Sequence, residues 1–487
     1  MAASTQTKSE RIRASLDYPV IDTDGHVIEF LPLFLDYLTE VGGKQMAERF
    51  DREAVGDNLN RPTTWHRMTP GERREQRAWR PVWWIKPTLN TLDRATAMLP
   101  RLLRERMDAM GMDFSVLYPT VGLTFLRQDD EELRRATCRA LNRMHADLYR
   151  EHASRMTPVA AIPAYTPGEA LEELDHAVGE LGLKAIMISG QVRRPVPAVV
   201  RQAPELARHA LWMDHLALDS DHDYDPLWAR CTELKVAVTS HGNLHGMAPR
   251  TSLSSYVYNH IGKFASAGEA FCKALFLGGV TRRFPDLNFA FLEGGVAWAS
   301  TLHSDLIGHW EKRSLAGLEK INPANLDVDK LEELFLSYGG PIIEGRGDAL
   351  RGVLESYRDD HENPAELDEW AACKIERKEE ITELFARNFY FGCEADDPSN
   401  AWAFKCPPRM RLKAMFGSDI GHWDVPDMTG VLEEAYELVE DGHIDEADFR
   451  EFVFANPALL HARMNPDFFK GTVVEDAVAK LLAGGGS

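Results

Sequence analysis

No uninterrupted apolar run in this chain approaches the ~20 residues that a membrane-spanning helix needs. The opening stretch, Met1 to Leu16, is polar and charged and lacks the apolar segment of a secretory leader. Cysteine is sparse. Cys138, Cys231, Cys272, Cys373, Cys393 and Cys406 are scattered with no CxxC pair, so neither a zinc-thiolate knuckle nor a redox dithiol is indicated. These absences point to a cytoplasmic protein in a reducing compartment. Basic residues are also in deficit, with 76 acidic against 55 basic side chains and a formal net charge of −21. Nucleic acid and anionic membranes are repelled by such a surface, and a small-molecule substrate is the expected partner.

The 487 residues have room for two or three average domains, or for one large barrel with insertions. Short β-rich apolar runs recur near 20–23, 115–119, 158–162, 184–188, 235–239, 288–292, 388–392 and 413–417. Most are continuously apolar, as parallel strands covered on both faces are. Helical patterns lie between them. The segment 129–152 places Leu133, Ala136, Ala140, Leu141, Met144 and Leu148 at helical spacing, and 167–181 is a second helical segment. Asp225-Pro226 reads as an N-cap followed by proline at the first helical position. Eight strands alternating with helices predict a (β/α)8 TIM barrel, with no GxGxxG after the first strand to favour a doubly wound sheet.

Barrel active sites form where the strands end. The polar residues at those ends are Asp24 and His26, Ser189, His241, Glu293, Glu394 and Asp419. In Asp22-Thr23-Asp24-Gly25-His26, alternate residues of a strand share a face, so Asp24 and His26 can grip one ion. Barrel closure brings the first and eighth strands together. Asp24, His26, His241 and Asp419 therefore form the expected metal set, for one divalent ion, zinc or manganese by their mixed nitrogen and oxygen donors.

Two connections, His26 to Phe114 and Gly294 to Arg387, are too long for simple strand–helix loops, and loops of that length are usually functional. The first holds Trp65, Trp79, Trp83 and Trp84, with Thr69-Pro70-Gly71-Glu72 as a capping-box start. The second is highly charged from Asp327 to Glu383 and is expected to be helical.

The motifs Val20-Ile21-Asp22-Thr23-Asp24-Gly25-His26, Ser240-His241-Gly242, Phe291-Leu292-Glu293-Gly294-Gly295 and Phe416-Gly417-Ser418-Asp419 together resemble the amidohydrolase-related family. This is the branch of the metal-dependent amidohydrolase superfamily that contains aminocarboxymuconate-semialdehyde decarboxylase and the γ-resorcylate-type decarboxylases. The resemblance spans about residues 18 to 430 apart from the two insertions. It implies a barrel with one divalent ion, assembled as a homodimer or a higher homo-oligomer. It also implies Asp24 and His26 as the first-strand ligand pair, His241 as the fifth-strand ligand, and Asp419 as the residue that contacts metal and moves protons. The resulting expectation is one barrel over 18–470, a 44–105 insertion serving as lid or oligomerisation element, and a helical insertion over 296–387.

This chain departs from its relatives at three points. Asp-x-His stands where many have His-x-His, and Glu293 stands where several place histidine. The fourth strand ends at Ser189-Gly190 with Lys184 at its start, so no lysine is positioned to bridge two metals by carbamylation. His245 and His422, close after His241 and Asp419, are further active-site candidates, each with loop hydrogen bonding as the alternative. Asp219-x-Asp221-x-Asp223-x-Asp225 has the early spacing of a calcium loop, but Tyr224 and Arg230 occupy the glycine and glutamate positions, which leaves a solvated loop.

The leading reading is a metal-dependent hydrolase of a small aromatic or cyclic substrate. The ion lowers the pKa of water from ~15.7 towards ~7, and Asp419 takes the proton and returns it to the leaving group. Glu293, His245 and His422 are the other candidate catalytic groups. The alternatives are non-oxidative decarboxylation of an aromatic acid, in which Asp419 protonates the ring carbon, and a non-catalytic metal- or ligand-binding barrel.

Overall fold

The computed structural model describes residues 6–53, 64–81, 89–242, 247, 250–358, 363, 366–405 and 410–484. Its strands in chain order are β1 (Ile21–Val27), β2 (Phe114–Pro119), β3 (Met156–Ala161), β4 (Ala185–Ile188), β5 (Val192–Pro195), β6 (Leu211–Asp214), β7 (Val238–Ser240), β8 (Phe289–Phe291), β9 (Phe389–Glu394) and β10 (Lys413–Gly417). Eight of them form one parallel sheet in the order β1-β2-β3-β4-β7-β8-β9-β10, the expected barrel. Every predicted strand is present, the last over 413–417 as expected and the others with shifted ends. The fifth barrel strand starts at Val238 and not at Lys235, because Lys235 turns into the left-handed region (φ 58) and cannot extend a ladder.

The antiparallel pair β5–β6 was not foreseen. Val192-Arg193-Arg194-Pro195 is short and only partly buried, so it carries little of the apolar signal that marks a strand. It is held by Arg194 Nε donating to Asp214 Oδ2 at 2.5 Å.

The barrel wall packs through interlocked aromatics. Phe291 meets Phe389 and Phe391 at centroid separations of 5.5 and 6.0 Å, and all three rings are buried. The helix Glu131–Tyr149 covers the sheet with Leu133, Ala136, Ala140, Leu141 and Met144, and Asp130 caps it by accepting from Leu133 N at 2.9 Å. Asp225 is not the cap expected of it. It opens the helix Asp225–Glu233, and its carboxylate takes Arg283 at 2.6 and 2.8 Å.

In the first insertion the capping box forms as read, with Thr69 N donating to Glu72 Oε2 at 2.7 Å. Trp65 packs locally: its Nε1 donates to Ala78 O at 3.0 Å and Arg73 lies over its ring at 3.6 Å. Trp83 and Trp84 lie outside the described residues. The charged segment is helical over Val328–Tyr338, Gly347–Ser356 and Lys378–Asn388, and Val328, Leu350 and Leu354 form a small core there, separate from the main one. Among the described residues no helix is long and apolar enough to cross a membrane.

The seam between β1 and β10 is closed by polar contacts. Asp22, fully buried, accepts from Ser115 Oγ of β2 at 2.6 Å and from Ser418 N and Oγ, each at 2.9 Å. Asp419 N donates to Asp24 O at 2.9 Å, and His26 N to Ile420 O at 3.1 Å. The β1–β2 register slips between Asp22 and Gly25, a bulge of the kind that re-aims side chains beside active sites. Gly25 is required there, since a Cβ would stand 2.6 Å from Asp22 Oδ2. We expect Asp22→Ala to strip three strand-joining hydrogen bonds to a buried charge and to cost about 3 kcal/mol. Urea denaturation should show a lower midpoint at unchanged slope.

Candidate active site

Asp24 and His26 enter the barrel mouth from β1, His241 follows β7, and Asp419 follows β10. The structure brings all four together. His26 Nε2 faces His241 Nε2 at 3.1 Å. Around these nitrogens stand Asp24 Oδ1 (3.5 Å from His26, 3.7 Å from His241) and Asp419 Oδ1 (3.3 Å from His26). Burial together with His422 and His241 lowers the pKa of His26, and burial followed by Lys263 lowers that of His241 to about 3. Both rings are thus neutral at neutral pH, and their facing nitrogens can share one N–H hydrogen bond or together offer two lone pairs to a cation. Asp24 Oδ1 is buried without a hydrogen-bond partner. Converging nitrogen and oxygen lone pairs, buried and unsatisfied, fit a divalent ion. One ligand atom each from Asp24, His26 and His241 lies within 4.8 Å of the others.

Glu293 and Asp419 both sit in the left-handed region, at φ 56 and φ 47. Non-glycine residues held there cost about 1–3 kcal/mol each and concentrate at functional sites. Glu293 Oε2 points to His241 Nε2 at 3.4 Å, so this residue faces the pocket from the end of β8. Its pKa is raised, chiefly by burial, with Lys263 opposing. Asp419 is likewise raised by burial and then by Glu293 and Asp424. His422 Nδ1 lies 2.8 Å from Asp419 Oδ1, and its ring stacks on His26 at 4.0 Å. His422 Nε2 lies 3.2 Å from Thr120 Oγ1. His245 lies outside the described residues. Ser189 is spent on its own turn, donating to Gln191 O.

Several groups at this mouth were not foreseen. Asp424 sits five residues beyond Asp419, and His260 ends the helix Tyr256–His260. Lys263 is buried beside them, its pKa lowered by burial and lifted by Glu293, Asp424 and Asp419. Arg127 also acts on His241 and Lys263, and its own pKa is lowered to about 10 by burial. These residues lie on loops and helix ends, where no strand-end signal marks them. An acid shortly after the Ser418-Asp419 pair was the one legible clue. Tyr118 lines the floor, its OH donating to Thr239 Oγ1 at 2.9 Å and its ring 5.7 Å from His241.

A parallel barrel whose C-terminal mouth gathers two neutral histidines and a ring of buried carboxylates defines a metal-dependent barrel enzyme. The amidohydrolase family model matches residues 21–319, more than half of the chain, and the chain belongs to that family, whose enzymes use a divalent metal. No curated protein matches the chain. Among solved structures, an amidohydrolase from Mycobacterium avium subsp. paratuberculosis K-10 is 18% identical, with 92% of this chain and 100% of that one covered, at a TM-score of 0.52. At that identity the likeness is one of fold. A 2,6-dihydroxybenzoate decarboxylase complexed with 2,6-dihydroxybenzoate is 15% identical over 91% of this chain and 99% of that one, at a TM-score of 0.47. A 5-carboxyvanillate decarboxylase from Novosphingobium aromaticivorans DSM 12444, complexed with manganese and 4-hydroxy-3-methoxy-5-nitrobenzoic acid, is 14% identical over 94% and 99%, at 0.48.

Glu394, at the end of β9, has its pKa raised to about 7 by burial and then by Asp424, Asp396 and Asp397. The folded state therefore holds a proton that the unfolded chain releases near 4.5. That contribution is present at low pH and is lost as pH rises through about 7. In metal-free protein, the thermal stability of wild type relative to Glu394→Gln should fall steadily between about pH 5 and 8. Scanning calorimetry of the two proteins across that range checks it, and a constant difference would contradict the assignment.

Proposed function

We propose that this enzyme hydrolyses a small, uncharged organic substrate at the mouth of the barrel, with one divalent ion held by Asp24, His26, His241 and Asp419. The observation that carries this reading is the charge of the site. Asp24, Glu293, Glu394, Asp419 and Asp424 act on one another through the same buried space, which repels a substrate carboxylate and suits a neutral ester, lactone or amide. A divalent ion supplies Lewis acidity here, lowering the pKa of water from ~15.7 towards ~7.

The chain's own residues do the rest. Asp419 takes a proton from the attacking water as the new C–O bond forms. It returns that proton to the leaving oxygen or nitrogen as the scissile bond breaks, so no net proton is consumed by the residue. His422, 2.8 Å from Asp419 Oδ1, steadies the carboxylate. Glu293, 3.4 Å from His241 Nε2, accepts from substrate or water on the opposite side. Tyr118 and Phe264 give the pocket its apolar wall, with ring centroids 5.7 and 5.1 Å from His241.

The insertion over 44–105 covers this mouth in our reading, within a single barrel unit over 18–470 that also carries the 296–387 helical insertion. Support comes from Arg80, whose N donates to Ser252 O at 2.8 Å, and from Asn259, whose Nδ2 donates to Arg80 O at 3.1 Å. Those contacts tie the insertion to the segment that carries His260. Asn259→Ala should release it and raise KM about tenfold, the loss expected for one buried hydrogen-bond anchor of ~1.4 kcal/mol.

A second reading, decarboxylation of an aromatic acid, is favoured by Lys263 and Arg127, whose positive charges at the site suit an anionic group. Isotopes separate the two. A panel of aryl esters, lactones and anilides is offered to the Mn2+-loaded enzyme in H2(18)O, and a panel of hydroxybenzoates in D2O. Hydrolysis places 18O in the acid product. Decarboxylation releases CO2 and leaves solvent deuterium on the ring. Asp419→Asn should lower kcat by ~10²–10⁴ in the productive assay. Mass spectrometry of the metal content shows whether that loss exceeds any loss of ion.

A further inference from the structure

We propose that a second divalent cation binds beside the first, between His260, Glu293 and Asp424. The inference rests on the reading above that Asp24, His26, His241 and Asp419 hold the first ion, and it goes beyond it, since that reading needs one ion only. One ligand atom from each of His260, Glu293 and Asp424 lies within 4.8 Å of the others. They come from three separate elements: the end of the helix Tyr256–His260, the end of β8, and the loop that follows Asp419. Glu293 thus faces two groups, with His241 Nε2 3.4 Å from its Oε2 on one side and His260 with Asp424 on the other. A carboxylate so placed is a natural bridge between two cations.

A second, independent observation is the state of the oxygens. Glu293 Oε2 and Asp424 Oδ1 are buried and have no hydrogen-bond partner, and the Glu293 side chain is only 3% exposed. Among the described residues no lysine or arginine forms an ion pair with Glu293, Asp419 or Asp424. Lys263 lies nearest in charge, yet its Nζ stands 4.2 Å over the Phe264 ring and makes no ion pair among the described residues. Five carboxylates, Asp24, Glu293, Glu394, Asp419 and Asp424, act on one another across this space, and Lys263 and Arg127 are the cationic side chains that reach it. A second cation gives the unpartnered oxygens of Glu293 and Asp424 the compensation that no lysine or arginine ion pair supplies among the described residues.

His/Glu/Asp donors of this kind suit manganese or zinc. The ion would hold Glu293 in its left-handed conformation and draw the loop around Asp424 onto the helix carrying His260.

The test is a metal count. Purified protein is stripped with chelator, dialysed to equilibrium against a Mn2+ series, and assayed for bound manganese per chain, with electron paramagnetic resonance on the same samples. Wild type should take two ions per chain and show the spin-coupled signal of neighbouring Mn2+. His260→Ala and Asp424→Asn should each take one, with the coupled signal lost and the weaker Kd raised at least tenfold. One ion per chain in saturated wild type overturns the second site and leaves the first standing. No bound ion overturns both. Two ions in both variants also overturns this assignment. Should either variant fail to fold, the wild-type count and its spin coupling still decide.

Discussion

The carboxylate of Asp22 joins three parts of the barrel that are far apart in the chain. It accepts from Ser115 of β2 and twice from Ser418 beyond β10, and it is wholly buried while doing so. A buried charge of this kind is tolerated only when its hydrogen bonds are complete. Because they are, the seam between the first and last strands is fixed, and Asp24 and Asp419 meet across it. Gly25 and Gly417 serve the same closure, since a Cβ on Gly417 would stand 2.9 Å from Asp24 Cβ.

The site that depends on this seam is strained and uncompensated in a consistent way. Two histidine nitrogens face each other, Glu293 and Asp419 hold left-handed backbones, and several carboxylates have pKa values pushed upward by burial. The left-handed backbones and the buried carboxylates each cost free energy in the folded protein. The protein holds these groups against their own preferences because the aromatic wall beneath them, Phe289, Phe291, Phe389 and Phe391, is rigid and fully buried.

The groups around the centre fall on two sides. Asp419 and His422 stand together on one side, 2.8 Å apart, with Thr120 behind them. Glu293, His260, Asp424 and Lys263 form the opposite side, a cluster of carboxylates and a histidine beside one buried lysine. The insertion after β1 reaches this second side through Arg80 and Asn259. The insertion and the segment that carries His260 are therefore joined by direct hydrogen bonds.

By itself the sequence determined the barrel, because continuously apolar runs alternating with helical patterns leave few other architectures. It also marked the residues that end those runs: Asp24, His26, His241, Glu293 and Asp419. Strand ends are readable since side-chain alternation and barrel closure are regular. The hairpin β5–β6 escaped, being short, polar and partly exposed, and the cap expected at Asp225 moved because its carboxylate found Arg283. Only the tertiary structure could decide that His260, Lys263 and Asp424 reach the same space. They sit on a helix end and on loops, whose paths follow from packing against the rest of the chain and not from any local period in the sequence.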